Sequence, residues 1–253
     1  MRFFKNIFSF FKPGQDASST LARLEDRLGH TFKDISLLKL ALSHRSYVHS
    51  RGNSTAEYSN ERLEFLGDAV LDLVITEYLY RQYPGKREGK LSKMKALVVS
   101  SRVLKICARE WEIGNFIFLS KAEKRSGGAN RSSILADVYE AVLGAVYLDG
   151  GLEPAVKLIH SSLVPIMEDV LNDEKYANYK SNLLEYSQSK GLGIPEYQVI
   201  DEWGPEHDKQ FKIGVHIQNT EWGHGSGGTK KAAEQVAARM ALESRGAIIN
   251  EDN

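Results

Sequence analysis

The sequence predicts two structural classes in succession: an all-α domain over residues 20–171, then a small α+β domain with the order α-β-β-β-α over residues 179–247. In the first region, apolar residues recur three and four positions apart, as they do on one face of a helix. In the second region, apolar and polar residues alternate in short segments, as they do in half-buried strands. Residues 172–178, between the two regions, are mostly polar, which is typical of a linker.

The predicted helices of the first domain are separated by short segments that contain glycine or proline, such as Pro84-Gly85 and Gly150-Gly151. No internal repeat is visible, and no long stretch alternates as a strand would. The helices are predicted at residues 21–28, 35–42, 62–80, 90–100, 102–110, 133–148 and 152–171.

The second domain is predicted to begin with a helix at residues 181–190. Strands are predicted at residues 197–200 and 211–217, with a shorter third strand at residues 221–224, and a helix at residues 229–245 closes the domain. Thr229 is the expected N-cap of that last helix. The buried stripe of the helix is predicted to consist of Ala233, Val236, Ala237, Met240 and Ala241.

Both termini lie outside the predicted domains, as a Phe-rich leader over residues 1–19 and a tail over residues 248–253. The leader places Phe3, Phe4, Ile7, Phe8 and Phe11 on one helical face before Pro13-Gly14 ends the pattern. It is too short to span a membrane and lacks a cleavage site, so we expect no stable membrane insertion. Docking on its own protein and a weak surface anchor both remain open for it.

Overall composition restricts the class of protein only loosely. The 253 residues carry no formal net charge, which favours neither a nucleic acid nor a membrane as partner. Cys107 is the single cysteine, so an internal disulfide framework and a cysteine zinc site are excluded. Its apolar neighbours predict a small buried side chain in a protein of the reducing cytoplasm.

The stretch NERLEFLGD places Glu61, Glu64 and Asp68 within about 60° of one another on a helix. The spacing alone is a weak signal, because a solvated helical face shows it as well. However, this helix is rich in apolar residues, so much of it must be buried, and Asp72 adds a fourth acid. Buried acids of one sign require a cation or protons.

A second apolar helix, at residues 133–148, presents Asp137 and Glu140 on one face. Two such helices can face each other in a bundle and form a carboxylate-lined metal site. Oxygen ligands without histidine or cysteine favour Mg²⁺ or Mn²⁺, and these ions are commonly completed by substrate phosphates. A glycosidase would also use two acids, but the sequence shows no sugar cleft rich in aromatic residues.

Three blocks occur in the order NERLEFLGDAVL, YPGKREGKLSKMKALVVS and SILADVYEAVLGAVYLDGG, and in these the chain resembles the ribonuclease III family. The resemblance implies a Mg²⁺-dependent homodimeric endoribonuclease, with Mn²⁺ able to substitute, that leaves 5′-phosphate and 3′-hydroxyl ends. It also implies that ribosomal RNA precursors and other structured transcripts are substrates. The metal ligands that it implies are Glu64, Asp68, Asp137 and Glu140.

The resemblance also assigns roles to single residues. Asp68 and Glu140 correspond to the two catalytic acids that the family depends on most. Glu61 and Glu88 correspond to accessory acids, the latter associated with the processing centre across the dimer. Phe65 corresponds to a side chain that contacts the partner subunit.

The second domain resembles a double-stranded-RNA-binding domain in the blocks QSKGLGIPEYQVIDEWGPEHDKQF and GSGGTKKAAEQVAARMAL. Lys230 and Lys231 lie at a predicted helix N-terminus, which attracts phosphate. Glycines before that helix are expected to let the loop approach the RNA; they are Gly225, Gly227 and Gly228. Further contacts are predicted from Ser181, Glu185 and Gln188 on the first helix and from His207 in a turn.

The charge of this domain argues against strong RNA binding. Residues 178–246 contain eight Lys or Arg and nine Asp or Glu, so 8 − 9 leaves a balance of −1. The basic footprint of a nucleic-acid binder is therefore absent overall, and we expect modest affinity from the placement of a few cations.

Two other functions are weighed against this one. A non-catalytic double-stranded-RNA-binding or ribosome-associated protein on the same fold would not need all four carboxylates, and none is missing here. A helical di-metal oxidase would be expected to carry Glu-x-x-His pairs, and neither carboxylate helix contains a histidine.

Overall fold

The computed structural model describes residues 15–52, 56–172 and 178–247, with side chains from Thr20 onward except those of Ala56 and His207. The density of internal contacts divides the chain into two units between residues 173 and 174, and each is described by itself. The helices described in the first unit are α1 Gln15–Leu28, α2 Ile35–Ala41, α3 Arg45–Ser50, α4 Glu61–Gln82, α5 Glu88–Val98, α6 Ser101–Glu110, α7 Lys121–Arg125, α8 Ser132–Gly150, α9 Leu152–Ser162 and α10 Val164–Asn172.

Helix α8 is the centre of the first unit. It is apolar on nearly every face, so it is stable only where other helices surround it. Helices α2, α4, α6 and α9 pack around it. Its buried side chains include Leu135, Tyr139 and Val142, and the ring of Tyr139 stacks on Trp111 at 4.8 Å between centroids. The predicted helical domain is confirmed.

Helix α4 crosses α8 at unusually short range because a glycine lies on each helix at the contact. A Cβ atom on Gly67 would overlap the carbonyl oxygen of Glu140 and would lie 2.9 Å from the amide nitrogen of Gly144. A Cβ atom on Gly144 would overlap the carbonyl oxygen of Leu63. The two glycines therefore allow backbone contact between the carboxylate helices.

The beginning of the chain differs from the prediction. Helix α1 starts at Gln15, so residues 15–19, which the sequence assigned to the leader, are helical in backbone. The phenylalanines of the leader lie outside the described residues. No helix in the described parts of the chain is long and apolar enough to cross a membrane.

The second unit contains α11 Tyr179–Ser189, β1 Glu196–Trp203, β2 Gln210–Ile217, β3 Thr220–Gly227 and α12 Lys230–Glu243. The strands form an antiparallel sheet of order β1-β2-β3, and α11 and α12 pack together beside it. Gln218 and Asn219 join β2 to β3 with φ of 50° and 60°, which suits a two-residue type I′ turn. This confirms the α-β-β-β-α order.

The structure of the last helix confirms one prediction and corrects another. Thr229 is the N-cap, since its hydroxyl oxygen accepts a hydrogen bond from the amide of Ala232 at 3.1 Å. The predicted buried stripe was wrong for Val236 and Met240, which are 41% and 42% exposed. The helix instead buries the side chains of Ala233, Ala237, Ala238, Ala241 and Leu242.

The prediction that the glycines before this helix let a loop approach the RNA was also wrong in part. Gly225 and Gly227 are in β3 and face α12, where a Cβ atom on Gly225 would overlap the amide nitrogen of Ala237. Their lack of side chains thus lets the helix lie close to the sheet. The third strand also extends beyond the predicted residues 221–224. Gly228 meets only the Gln210 side chain, at 3.7 Å.

We expect Gly225→Ala to lower the stability of the second unit by about 1–3 kcal/mol, because the new methyl group must push α12 off the sheet. Thermal unfolding of the full chain, followed by calorimetry, measures this. Gly228→Ala is the matched control and should change the unfolding temperature little. Equal stability of both variants and the natural chain would contradict the packing described here.

Candidate functional site

The crossing of α4 and α8 brings four carboxylates to one place. Glu64 and Asp68 lie on α4, and Asp137 and Glu140 lie on α8. The pKa of Glu140 is raised to about 8, first by burial and then by the negative charges of Asp68, Glu64 and Asp137. Acids at least 69 positions apart in the chain (137 − 68) therefore share one acidic site.

The pKa of Glu64 is raised to about 7 by burial and by the charges of Asp137, Glu61 and Asp68. Burial raises the pKa of Asp137 as well, although the nearby guanidinium of Arg45 opposes this. These three acids are half-buried, whereas Asp68 is exposed.

The acids around the site are neutralised by cationic partners, and the four central acids are not. Asp72 pairs with Lys95 at 2.6 Å, and Glu123 pairs with Arg131 at 2.7 Å. By contrast, within the described residues none of the four carboxylates has a lysine, arginine or histidine partner within 4 Å. Uncompensated acids that repel one another are the chemistry that a bound cation stabilises.

The donor set fits a hard divalent cation. It consists of carboxylate oxygens without histidine or cysteine, the ligands that Mg²⁺ and Mn²⁺ prefer. Over the described ranges, no three such side chains already form a compact ligand cluster. Like charges keep apart until a cation draws them together, and Mg²⁺ usually retains several waters, so a looser arrangement is compatible with it.

The pKa shifts predict how stability depends on pH in protein free of divalent ions. Glu64 and Glu140 have folded-state pKa values above the ordinary 4.5. Their contribution to the free energy of unfolding is therefore complete below pH 4.5 and is lost as the pH rises through about 7 to 8. Both groups are partly exposed, so we expect a loss of only about 1 kcal/mol after allowing for solvent screening. Thermal unfolding from about pH 6 to about pH 8.5 measures the loss, and Glu140→Gln should reduce it.

Mg²⁺ should restore stability more at the upper end of that range, because a metal binds the ionised carboxylates. The prediction fails if stability rises across the range, or if Glu140→Gln leaves the pH dependence unchanged.

The accessory residues lie in three different places. Glu61 is at the edge of the acidic site, where it accepts a hydrogen bond from the Ser59 hydroxyl at 2.8 Å. Glu88 begins α5 and lines a separate cavity of about 700 Å³. Phe65 is 80% exposed beside an apolar cavity of about 540 Å³, which Leu37, Leu66 and Leu148 help to line.

The structure also shows residues that the sequence did not single out. A cleft of about 660 Å³ adjoins the acidic site, and Glu64 and Asp137 line it together with Arg45, Asn60 and Arg131. The only local sequence signal is that Asn60 directly precedes the acidic block. The two arginines are 86 positions apart (131 − 45), and only the fold brings them to one cleft.

The predicted RNA-binding residues are distributed over three elements of the second unit. Ser181, Glu185 and Gln188 follow one face of α11 at spacings of four and three. Lys230 and Lys231 are exposed at the start of α12, and Lys231 lines the same shallow cavity as Ser181. The backbone of His207 lies in a 3-10 turn between β1 and β2; its side chain lies outside the described atoms.

Comparison with known proteins identifies both units. Residues 34–167 match the model of the family described as ribonuclease-III-like, and residues 179–245 match the double-stranded RNA binding motif. The chain is 45% identical over 227 residues to ribonuclease 3 of Pelotomaculum thermopropionicum, which covers 90% of this chain and 94% of that protein. It is 45% identical over 237 residues to ribonuclease 3 of Streptomyces coelicolor, with 94% and 83% covered.

Among solved structures, the nuclease domain of ribonuclease III from Campylobacter jejuni is similar, with a TM-score of 0.51 and 42% identity. The match covers 56% of this chain and 97% of that one. A helical unit with an acidic helix crossing, followed by a double-stranded RNA binding motif, defines the class of protein. The chain belongs to the ribonuclease III family.

Proposed function

We propose that this protein is an endoribonuclease that hydrolyses phosphodiester bonds in double-stranded RNA with Mg²⁺ as cofactor. The observation that carries the proposal is the set of four carboxylates at the α4–α8 crossing, which have no cationic partner among the described residues. The double-stranded RNA binding motif in the second unit supplies the substrate class. The family resemblance extends the proposal to ribosomal RNA precursors and other structured transcripts in the cytoplasm.

The four acids would hold the cation together. Glu64, Asp137 and Glu140 would bind it from the half-buried part of the site, and Asp68 from its exposed side. When bound, Mg²⁺ supplies an activated water and neutralises charge that develops on the phosphate. Burial and the negative charges of Asp68, Glu64 and Asp137 raise the pKa of Glu140, and a cation would hold this acid ionised.

Recognition of the duplex belongs to the second unit. The polar face of α11, the turn that contains His207 and the N-terminus of α12 are three separate contact points. Contacts of this kind read the shape and backbone of a duplex and not its sequence. They therefore suit an enzyme that acts on many structured transcripts.

We propose that two copies of the chain form the active enzyme. The surface that carries exposed Phe65 and the apolar cavity beside it is self-complementary, because the Phe65 ring of one copy can fill the cavity of the other. A dimer with two-fold symmetry matches the two-fold relation between antiparallel RNA strands and gives each strand one acidic site. The Campylobacter jejuni nuclease domain is described as having a region involved in dimer formation.

We expect Phe65→Ala to shift the protein from dimer to monomer, with a dissociation constant raised about 10³-fold, because two rings leave their cavities at about 2 kcal/mol each. Light scattering coupled to size-exclusion chromatography measures the mass. Ile194→Ala, which shortens a 70% exposed side chain of the second unit, is the control and should leave the mass unchanged. A monomeric natural chain, or a Phe65→Ala variant that stays dimeric, would contradict the proposed interface.

A cleavage assay tests the proposed function. The protein is incubated with a long RNA duplex, or with either strand alone, in Mg²⁺ and in EDTA, beside Glu140→Ala. We expect cleavage of the duplex only, only in Mg²⁺ and only by the natural chain. Binding without cleavage by the natural chain would favour the non-catalytic RNA-binding alternative.

A further inference from the structure

The cleft beside the acidic site has the features of an anion site. Its walls come from α3, from Glu123 of α7 and from the N-termini of α4 and α8, both long helices. Neither N-terminus has a side-chain cap: Asn60 and Arg131 occupy the two cap positions without making the hydrogen bond. Free amide groups and the helix dipole at such ends attract anions.

Asn60 provides an independent reason to expect a ligand. The residue is 2% exposed and lines the cleft, yet its side-chain amide nitrogen has no acceptor among the described residues. The backbone of Asn60 is held in place, because its amide donates to the Ser43 carbonyl oxygen at 2.8 Å. A buried N–H group without an acceptor is costly, and an oxygen of a bound molecule would satisfy it.

Arg45 can reach the same ligand. Its guanidinium approaches Glu61 only to 3.9 Å, and 66% of its side chain is exposed. Arg131 contributes a second guanidinium to the cleft, although Glu123 engages it at 2.7 Å. Guanidinium groups bind phosphate oxygens through paired hydrogen bonds, which lysine cannot reproduce.

The position of the cleft restricts what can occupy it. Glu64 and Asp137 line it, so its occupant would lie next to the proposed metal site. Without a divalent cation a free anion would meet these acids unscreened, whereas with the cation bound an anion can enter, and an RNA strand on the metal would offer a further backbone phosphate there.

We propose that this cleft is a phosphate subsite that binds a backbone phosphate next to the scissile one, with Arg45 and Asn60 as positioning residues. This inference rests on the proposed function. It assigns the cleft a task that the metal ligands do not perform, which is to fix the register of the strand that is cut.

The first test replaces single phosphates near the cut site by uncharged methylphosphonates. At one position within about two nucleotides of the cut, the neutral linkage should slow single-turnover cleavage by the natural chain about 10- to 100-fold. The same linkage should slow cleavage by Arg45→Gln only a little, because this variant has already lost the contact with the phosphate. Arg109→Gln, an exposed arginine at the end of α6, should behave as the natural chain does. Equal slowing of the natural chain and Arg45→Gln at every position would overturn the proposal.

The second test does not need cleavage. The protein is labelled with ¹⁵N at asparagine and titrated with magnesium sulfate, with magnesium chloride at equal ionic strength as the control. Sulfate should shift the NMR signal of the Asn60 side-chain amide until the shift saturates, and chloride should not. Arg45→Gln should weaken the shift, and no shift in the natural chain would overturn the subsite. A natural chain that never cuts an unmodified duplex would refute the proposed function instead, so the two failures are distinguishable.

Discussion

Replacing Glu140 by glutamine is expected to lower the rate of duplex cleavage at saturating RNA by about 10³-fold or more, since a bound metal supplies several kcal/mol of charge stabilisation. Glu140 lies at the centre of the acidic site, where the charges of Asp68, Glu64 and Asp137 all act on it. The amide keeps the shape of the side chain and removes the charge that holds the cation. Single-turnover cleavage of a defined duplex measures the effect.

Duplex affinity is the accompanying readout, because the substitution leaves unchanged the second unit, which matches the double-stranded RNA binding motif. It should change less than about threefold in Glu140→Gln, a difference below ~1 kcal/mol. Glu153→Gln removes an 80% exposed acid that pairs with Lys157 on α9, and it should cleave at the natural rate. If Glu140→Gln cleaves as fast as Glu153→Gln, the acidic site is not the catalytic centre.

Gly67→Ala is expected to destabilise the first unit by about 2–3 kcal/mol, although alanine favours a helix over glycine by about 1 kcal/mol. The new methyl group meets the Glu140 carbonyl oxygen and the Gly144 amide, which are backbone atoms and cannot rotate away. The two helices must separate, and the carboxylate pairs separate with them. Because a misplacement of about 1 Å can cost about 10²-fold in rate, cleavage should fall as well.

Gly89→Ala is the matched control for stability, since it is also a helical glycine and a Cβ atom there meets nothing within 4 Å. It should unfold at the natural temperature or slightly above it. If Gly67→Ala is as stable as Gly89→Ala, the close crossing of α4 and α8 does not hold the site.

Local sequence patterns were sufficient for most of the fold. The apolar spacing in α4 and α8 and the alternation in β2 are short-range signals, so they predict each element without knowledge of its neighbours. The acidic pairs could also be found, because Glu64 and Asp68 lie within one turn of a helix, as do Asp137 and Glu140. The prediction of a shared metal site followed from two apolar helices that can face each other in a bundle, and the family resemblance then implied the four ligands.

Features that depend on contact between distant segments could not be predicted. The cleft around Arg45 and Arg131 forms only when α3 and α8 are placed beside α4. Val236 has the spacing of a buried residue, yet its side chain is 41% exposed although its Cβ atom lies against Gly225 of β3. Likewise, a glycine within a helical pattern, such as Gly67, is no signal of which backbone it will touch.

The central claim is that the α4–α8 crossing holds the catalytic divalent cation. Two crystals test it, one of Glu140→Gln and one of the natural chain, each grown with Mn²⁺ and an RNA duplex. The anomalous scattering of manganese locates the metal in both. In the natural chain we predict a manganese peak at about 2.2 Å from carboxylate oxygens of Glu64, Asp68, Asp137 and Glu140. The peak should be weakened or lost in Glu140→Gln. Manganese bound only elsewhere, or an equal peak in both crystals, would contradict the account.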